Sequence, residues 1–352
     1  MVHSPDLVKR YPESAHACQK LLALCDGEED EQSTPIHQAL IFHPDDRRLT
    51  AIREAIRTHP ECLNVLDGVG LTPLHWATGL KDVAAARIIL AMGADVNSRG
   101  YSGKTPLFTS VSRARSESDD VIRLLLESGA DVNAISDFGT SPLMASAMDG
   151  TIHSNFMAIL LANGADPHRV SLGFGYSALH TLYGEFSDSD EAEESTCKLD
   201  LLLGAGANIN QRDALGRCPL LLAAQGDDFR FITLLLERGA DVSLRDAEGK
   251  GLLHYVALDA AWQAMEAIRL HHSDSSDEEY YLGHNLRDRS GATPADYFKE
   301  RVDAMEQAIK PNGLLELSRS FTAVSQKDIE EWVQLMEDVQ SCSRHVHTHG
   351  ME

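Results

Sequence analysis

Short apolar runs separated by polar turns recur along most of this sequence. The stretch 67–97 shows the pattern most clearly, because the motif TPLH at residues 72–75 opens one helix and a second apolar run at 88–90 ends at Gly93. Pro73 suits the first turn of a helix, where its missing N–H would have no partner. A glycine such as Gly93 is typical of a helix end. The pattern therefore predicts two short helices followed by an extended turn.

Copies of this two-helix unit follow one another along the chain. The Gly-Ala pairs that end the second helix begin at residues 93, 129, 164, 206 and 239, which gives steps of 36, 35, 42 and 33 residues. One unit cannot bury its own apolar face, so the copies must stack on each other. The segments that correspond to TPLH are 105–108, 141–144, 177–180, 218–221 and 251–254, and a divergent first copy opens at 34–39.

Several of these motifs in register, at a spacing of about 33 residues, resemble the ankyrin repeat family. The resemblance covers residues 34–298. It implies an all-α fold, an ankyrin-repeat α-solenoid whose helix-turn-helix units are joined by β-hairpin-like loops. We predict an N-terminal capping helix and acidic linker at 1–33, an ankyrin repeat domain of about seven to eight repeats at 34–310, and a C-terminal amphipathic helix with a His-rich tail at 311–352.

Composition narrows the class of partner. The 352-residue chain has a formal charge of −23, which disfavours binding to nucleic acid and to anionic membrane surfaces. Its N-terminal segment lacks the continuous apolar run of a signal peptide, and no run approaches the roughly 20 apolar residues that cross a bilayer. We therefore expect a cytoplasmic or nuclear protein. The six cysteines show no paired spacing, so no disulfide framework or zinc site is predicted.

Two acidic inserts interrupt the pattern, at 187–195 and at 271–279. We predict that both leave the stack as loops, because buried carboxylates would need partners. Within them, Ser187, Ser275 and Ser276 each have an acidic residue three positions on, which resembles the sites of acidophilic casein-type kinases. The alternative is that both inserts are simply solvated loops.

No motif of an enzyme or cofactor site is present. The sequence lacks GxGxxG, a Walker loop, HExxH and CxxC. His75, His180 and His254 repeat at one position near the helix starts, so we assign them to hydrogen bonds with the local backbone and the neighbouring turn. Trp76, at a position that the ankyrin family fills with a core leucine, is predicted to pack internally. We therefore predict no catalytic residue, no cofactor and no metal.

In the ankyrin family, ligand contacts concentrate on the hairpin tips and on the ends of the first helices, along one concave face. Carried over by position, these places in the present chain include aromatic and apolar residues, which are over-represented at interaction surfaces. The alternative is that these residues pack between adjacent hairpins. The predicted partner-binding residues are Tyr101, Arg113, Asp137, Phe138, Phe174, Tyr176, Leu215 and Arg217.

These observations predict an intracellular protein-binding scaffold, adaptor or regulatory subunit. The partner would carry an apolar anchor and a basic rim, since the middle of the tip column is apolar and its surroundings are acidic. We expect the protein to be a monomer. Two alternatives stay open, an enzyme with a site built in the repeat groove and a structural subunit that self-associates through the C-terminal helix.

Overall fold

The computed structural model describes most of the predicted repeat region. The predicted N-terminal capping helix, the C-terminal amphipathic helix and the His-rich tail lie outside the described residues, as do Arg113, Ser187, Ser275 and Ser276. The described residues are 33–42, 45–112, 119–148, 154–182, 192–259, 261, 263–265, 267–268 and 286–300.

Within these residues the regular structure is entirely helical, and the helices alternate between first and second members of a pair. Short 3₁₀ turns occur at Pro60–Cys62 and Tyr101–Gly103. Residues 294–300 are also helical. The α-helices are α1 (Pro35–Phe42), α2 (Asp45–Thr58), α3 (Pro73–Gly79), α4 (Val83–Ala91), α5 (Pro106–Ser112), α6 (Asp120–Glu127), α7 (Pro142–Ala147), α8 (Ser154–Ala162), α9 (Ala178–Thr181), α10 (Ala192–Gly204), α11 (Pro219–Gln225), α12 (Phe229–Glu237) and α13 (Leu252–Asp259).

The chain divides into two compact units. Unit 1 comprises Met1–Pro142 with Ala162–Gly164, and unit 2 comprises Leu143–Leu161 with Ala165–Glu352. In unit 1, α1, α3 and α5 pack side by side, and α2, α4 and α6 form a second layer against them. In unit 2, α11 contacts α9, α12 and α13, and α9 also contacts α10. The predicted all-α stacking of two-helix units is confirmed.

The helix starts follow the chemistry of their first residues. Pro73 occupies the first turn of α3, where no backbone donor is needed. The second helices can start at an aspartate instead. Asp82 accepts a hydrogen bond from the Ala85 N–H at 2.9 Å, and Asp228 accepts one from the Phe231 N–H at 3.0 Å. Because such a cap is worth about 1 kcal/mol, these residues fix where α4 and α12 begin.

Helix α10 corrects the predicted extent of the first acidic insert. The sequence predicts a loop at 187–195, but the helix begins at Ala192 and Ser195 is fully buried within it. Glu193 and Glu194 lie in the first turn, where carboxylates interact favourably with the positive end of the helix. The assignment of residues 192–195 to a loop was wrong, because carboxylates that are typical of a loop also favour a helix start, whereas residues 187–191 lie outside the described residues.

Neighbouring hairpins are joined by single backbone hydrogen bonds. In unit 1, the Asp137 N–H donates to the Ser102 carbonyl at 2.9 Å, and in unit 2 the Ala247 N–H donates to the Leu215 carbonyl at 2.8 Å. This approach requires a glycine beside the tip. Gly216 has a φ of 78°, and a Cβ atom there would lie 2.7 Å from the backbone nitrogen of Ala247. Any larger residue would push the two hairpins apart.

Gly216→Ala is expected to destabilise the protein more than Gly239→Ala. Both glycines have a positive φ, 78° and 80°, so both variants incur the cost of a left-handed conformation, about 1–2 kcal/mol. Only Gly216→Ala adds a clash with the next hairpin, because a Cβ at Gly239 would meet nothing within 4 Å. Urea denaturation followed by circular dichroism should show an additional loss of about 1–3 kcal/mol for Gly216→Ala. Equal losses would contradict the close approach.

Candidate functional site

An acidic side chain holds the base of several hairpins. In unit 2, the Oδ1 atom of Asp213 accepts the N–H groups of Leu215 at 2.9 Å and Arg217 at 2.8 Å. These bonds satisfy backbone groups that the tight turn would otherwise leave unpaired. The other aspartates whose Oδ1 atom accepts two turn N–H groups in this way are Asp67, Asp246 and Asp288.

The second oxygen of these carboxylates accepts a side-chain donor. At Asp67 the donor is the indole N–H of Trp76, at 2.6 Å, and the buried Trp76 ring packs internally as predicted. The equivalent pairs in unit 2 are Asp246 with the Tyr255 hydroxyl at 2.7 Å and Asp288 with the Tyr297 hydroxyl at 2.6 Å. At Asp288, burial acts to raise the pKa, but side-chain and backbone hydrogen bonds outweigh it and lower the pKa to about 2.

Arg217 takes the place of the aromatic donor at Asp213. Two of its guanidinium nitrogens, Nε and Nη2, lie 2.8 Å from the Oδ2 atom of Asp213, and both residues are buried. Further bonds reach Oε1 of Gln225 and the hydroxyl of Tyr176, each at 3.0 Å. Burial acts to lower the pKa of Arg217, but the hydrogen bond and charge of Asp213 outweigh it and raise the pKa. Arg217 is therefore a buried residue that connects Asp213 of its own hairpin to Tyr176 of the preceding hairpin.

An aromatic stack extends from this support to the surface of unit 2. The rings of His180 and Tyr176 have centroids 5.7 Å apart and lie within 7° of parallel, and Tyr176 stacks on Phe174 at 5.4 Å. His180 is buried, Tyr176 is half-buried and Phe174 is 65% exposed. The Phe174 ring is thus held by Tyr176 while most of its surface remains open to solvent.

Four large apolar side chains are exposed on two adjoining hairpins of unit 2. Leu172 is 63% exposed and Leu215 54%, beside the similarly exposed Phe174. The hairpins adjoin because the Ala214 N–H donates to the Phe174 carbonyl at 2.8 Å. Grouped apolar side chains in water are a feature of interaction surfaces. We call this group, Val170, Leu172, Phe174 and Leu215, the tip patch.

The predicted contact residues differ in exposure and in their internal partners. Asp137 is exposed but pairs with Arg99 at 2.9 Å. Tyr176 is half-buried in the aromatic stack, and Arg217 is buried beneath it. Their role in binding, and that of the remaining residues, stays a prediction. The exposed members are Tyr101, Asp137 and Phe138 in unit 1 and Phe174 and Leu215 in unit 2.

Sequence reasoning missed Val170 and Leu172. The turn that contains Phe174 closes between the Ser171 N–H and the Tyr176 carbonyl, five residues on, at 2.8 Å. The corresponding turn of the next hairpin closes over four residues, so this hairpin has one residue more. The prediction took from each hairpin the residue before the conserved glycine, which here is Phe174 before Gly175. Because this hairpin has an extra residue, Leu172 lies outside that set. The longer spacing before the helix start was the available signal.

The recurring histidines of the repeats have the structural role that the sequence predicts. In unit 2, Nδ1 of His180 accepts the Ser177 N–H at 3.2 Å, and Nε2 lies 3.1 Å from the Arg217 carbonyl oxygen. Because an amide only donates and a carbonyl only accepts, the proton lies on Nε2 and the ring is neutral. Burial lowers the pKa of His180 and also that of His254. His75 and His254 make the same pair of contacts.

The described part of the chain offers no metal or membrane-spanning site. No group of three or more His, Cys, Asp or Glu side chains is placed there to hold a metal ion. Nor is any helix there long and apolar enough to cross a bilayer. The cysteines in this part, Cys62, Cys197 and Cys218, are free thiols.

Two family models match the chain. The model described as "Ankyrin repeats (3 copies)" matches residues 47–136, and the model described as "Ankyrin repeat" matches residues 215–247. The first match lies within unit 1, and the second begins at Leu215 in unit 2 and includes α11 and α12. Both units therefore contain a segment of this family.

Two relatives match over part of this chain. The chain is 32% identical to the E3 ubiquitin-protein ligase KEG of Arabidopsis thaliana over 158 residues, 43% of this chain and 9% of that protein. It is 42% identical over 55 residues to the human transient receptor potential cation channel subfamily A member 1, covering 16% and 5% of the two chains. The matched segments span less than a tenth of either relative.

A crystal structure of the human ASB11 ankyrin repeat domain aligns with a TM-score of 0.49 at 21% identity, covering 64% of this chain and 91% of that one.

Arg217→Met is expected to lower the free energy of unfolding by about 3 kcal/mol, because it leaves the buried Asp213 carboxylate without its cation. The double variant Asp213→Asn, Arg217→Met should recover part of that loss, since no charge then remains buried. Arg230→Met, at an exposed position on α12, is the matched control and should change stability by less than about 0.5 kcal/mol. Urea denaturation measures all three. A loss for Arg217→Met no larger than the control would contradict the buried pair.

Acidification from pH 7.5 to 5.5 is expected to destabilise the fold. His180 and His254 have pKa values below the ordinary 6.5 when folded, so the unfolded chain takes up protons first as the pH falls. Stability is therefore fully present above about pH 6.5 and decreases below it, by at most about 1.4 kcal/mol per pH unit for each histidine. Urea midpoints measured across this range should fall, and the fall should be shallower in His180→Gln. An unchanged slope in that variant would contradict the neutral, buried ring.

Proposed function

The chain is an ankyrin-repeat protein, and because such repeats generally mediate protein–protein interaction, we propose that unit 2 binds a protein partner through the tip patch. The role as scaffold, adaptor or regulatory subunit belongs to the same proposal. Tyr101 and Phe138 are the corresponding candidates of unit 1, since both are exposed on its own hairpins.

The observation that carries this proposal is a large apolar ring held in a fixed position at the surface. Phe174 is 65% exposed, yet its ring stacks on Tyr176, whose hydroxyl is hydrogen-bonded by Arg217 at 3.0 Å. A side chain that is already ordered loses little conformational entropy on binding. Ordered aromatic residues in a cluster of apolar side chains are typical of the few positions that supply most binding energy. Leu172 and Leu215 extend this apolar area.

The net charge of the chain affects its long-range attraction to a partner more than the contacts within the complex. A net charge of −23 attracts a cationic partner at a distance, which is the basis for the predicted basic rim. At physiological salt the field of exposed charges is largely screened beyond about 8 Å. The contacts themselves therefore depend on the charges immediately beside the tip patch.

The double variant Leu172→Ala, Phe174→Ala should lose its main protein partner in affinity capture from the source cells followed by mass spectrometry. Truncating buried contact residues of an interface costs about 1–4 kcal/mol each, enough to lower occupancy at least about tenfold. Both side chains are mostly exposed in the free protein, so the free energy of unfolding should change by less than about 1.5 kcal/mol.

Met92→Ala is the matched control for this capture experiment, because Met92 is an exposed apolar residue of unit 1, 47% accessible, outside the tip patch. Its partners should be those of the wild type. If the double variant retained every partner of the wild type, the tip patch would not be the binding surface.

A further inference from the structure

Exposed arginines lie close in sequence to the residues of the tip patch, although the whole chain carries a net negative charge. Three exposed arginines lie on the hairpins of the patch and on the next hairpin of unit 2. Arg169 immediately precedes the first patch residue in sequence, and Arg212 lies three residues before Leu215. We call the three, Arg169, Arg212 and Arg245, the arginine rim.

Ion pairs with described carboxylates compensate little of the positive charge of the arginine rim. Arg212 donates to backbone carbonyls, those of Gly216 at 3.2 Å and of Arg245, which orient it without neutralising it. Among the described carboxylates, Arg169 reaches only Asp166, at the 4.0 Å limit of an ion pair. Within the described residues, Arg212 and Arg245 have no carboxylate at ion-pair distance.

Three carboxylates on the hairpins of Arg212 and Arg245 have partners within their own hairpins or the helix that follows. The Asp213 side chain is fully buried and paired with Arg217. Asp246 accepts two turn N–H groups and the Tyr255 hydroxyl. Glu248 pairs with Lys250 at 2.8 Å. Asp213 and Glu248 are thus paired with cations of their own hairpins, whereas the exposed Arg212 and Arg245 have no such partner among the described residues.

We propose that the tip patch and the arginine rim together bind an acidic, apolar peptide segment of a partner protein. A large apolar side chain of that segment packs on Leu172 and Phe174, and Asp or Glu residues on either side of it pair with the rim. Arginine forms bidentate hydrogen bonds with carboxylates, so the rim selects their geometry as well as their charge. This inference rests on the proposed protein-binding role of the patch and replaces the predicted basic rim of the partner at the point of contact.

Selection from a random peptide library against the full-length chain tests this proposal even though the natural partner is unidentified. The selection is run at about 0.15 M salt, where the field of the whole chain is largely screened beyond about 8 Å. Peptides that also bind Phe174→Ala are removed. The remaining peptides should be enriched in Asp and Glu next to Leu, Phe or Trp.

A synthetic peptide from this pool then measures the contribution of the rim. Arg245→Gln should raise its Kd about twofold to fivefold, as expected for one exposed ion pair, and Arg169→Gln with Arg245→Gln should raise it further. The matched control is Arg230→Gln, which removes an exposed arginine of α12 and should leave the Kd unchanged. Fluorescence anisotropy gives each Kd, and circular dichroism verifies that each variant is folded.

The outcomes separate the two proposals. A Phe174-dependent pool that is basic or neutral would overturn the acidic partner and leave the proposed function standing. A pool without Phe174-dependent peptides would contradict the tip patch as a peptide-binding surface and both proposals with it. A wild-type dimer that Phe174→Ala converts to a monomer would assign the patch to a second copy of the chain and would also overturn the inference.

Discussion

The aspartate at the base of a hairpin satisfies two backbone N–H groups with one oxygen and a side-chain donor with the other. At Asp213 the two N–H groups belong to Leu215 and Arg217, and the donor is the Arg217 guanidinium. A turn of this kind has few other ways to pair its backbone, and an unpaired buried group costs about 1–3 kcal/mol. Because one carboxylate fixes both the turn and the residue beneath it, the position of the exposed tip depends on this contact.

The histidines and the backbone bonds between hairpins transmit this order from one repeat to the next within a unit. His180 joins the start of α9 to the Arg217 carbonyl, 37 residues further along the chain. The Ala214 N–H joins the same pair of hairpins at their tips. Each contact involves only nearest neighbours, which is the reason that stability in repeat proteins is approximately a sum of local terms. A surface such as the tip patch can therefore be ordered by two hairpins alone.

The sequence predicts those parts of the fold that repeat. It does not predict the features in which a single repeat departs from the others. The helix starts and the roles of His75 and Trp76 follow from one short motif and its spacing. The burial of Arg217 could not be predicted in this way, because it depends on Tyr176, 41 residues earlier in the chain. Leu172 was missed for a related reason, since one additional residue displaced it from the column in which contact residues were sought.

The net charge of the chain likewise does not describe how single charged side chains are arranged on a hairpin. A formal charge of −23 counts every carboxylate equally, but Asp213 and Asp246 are bound to turn N–H groups and to side-chain donors of their own hairpins. Carboxylates used in this way contribute to the field at a distance and offer little to a partner in contact. Arginines such as Arg212 bond to backbone carbonyls, which satisfies their donors without removing their charge. An acidic repeat protein can therefore present arginines without an ion-pair partner beside an apolar patch, because the turns of its hairpins use carboxylates as hydrogen-bond acceptors.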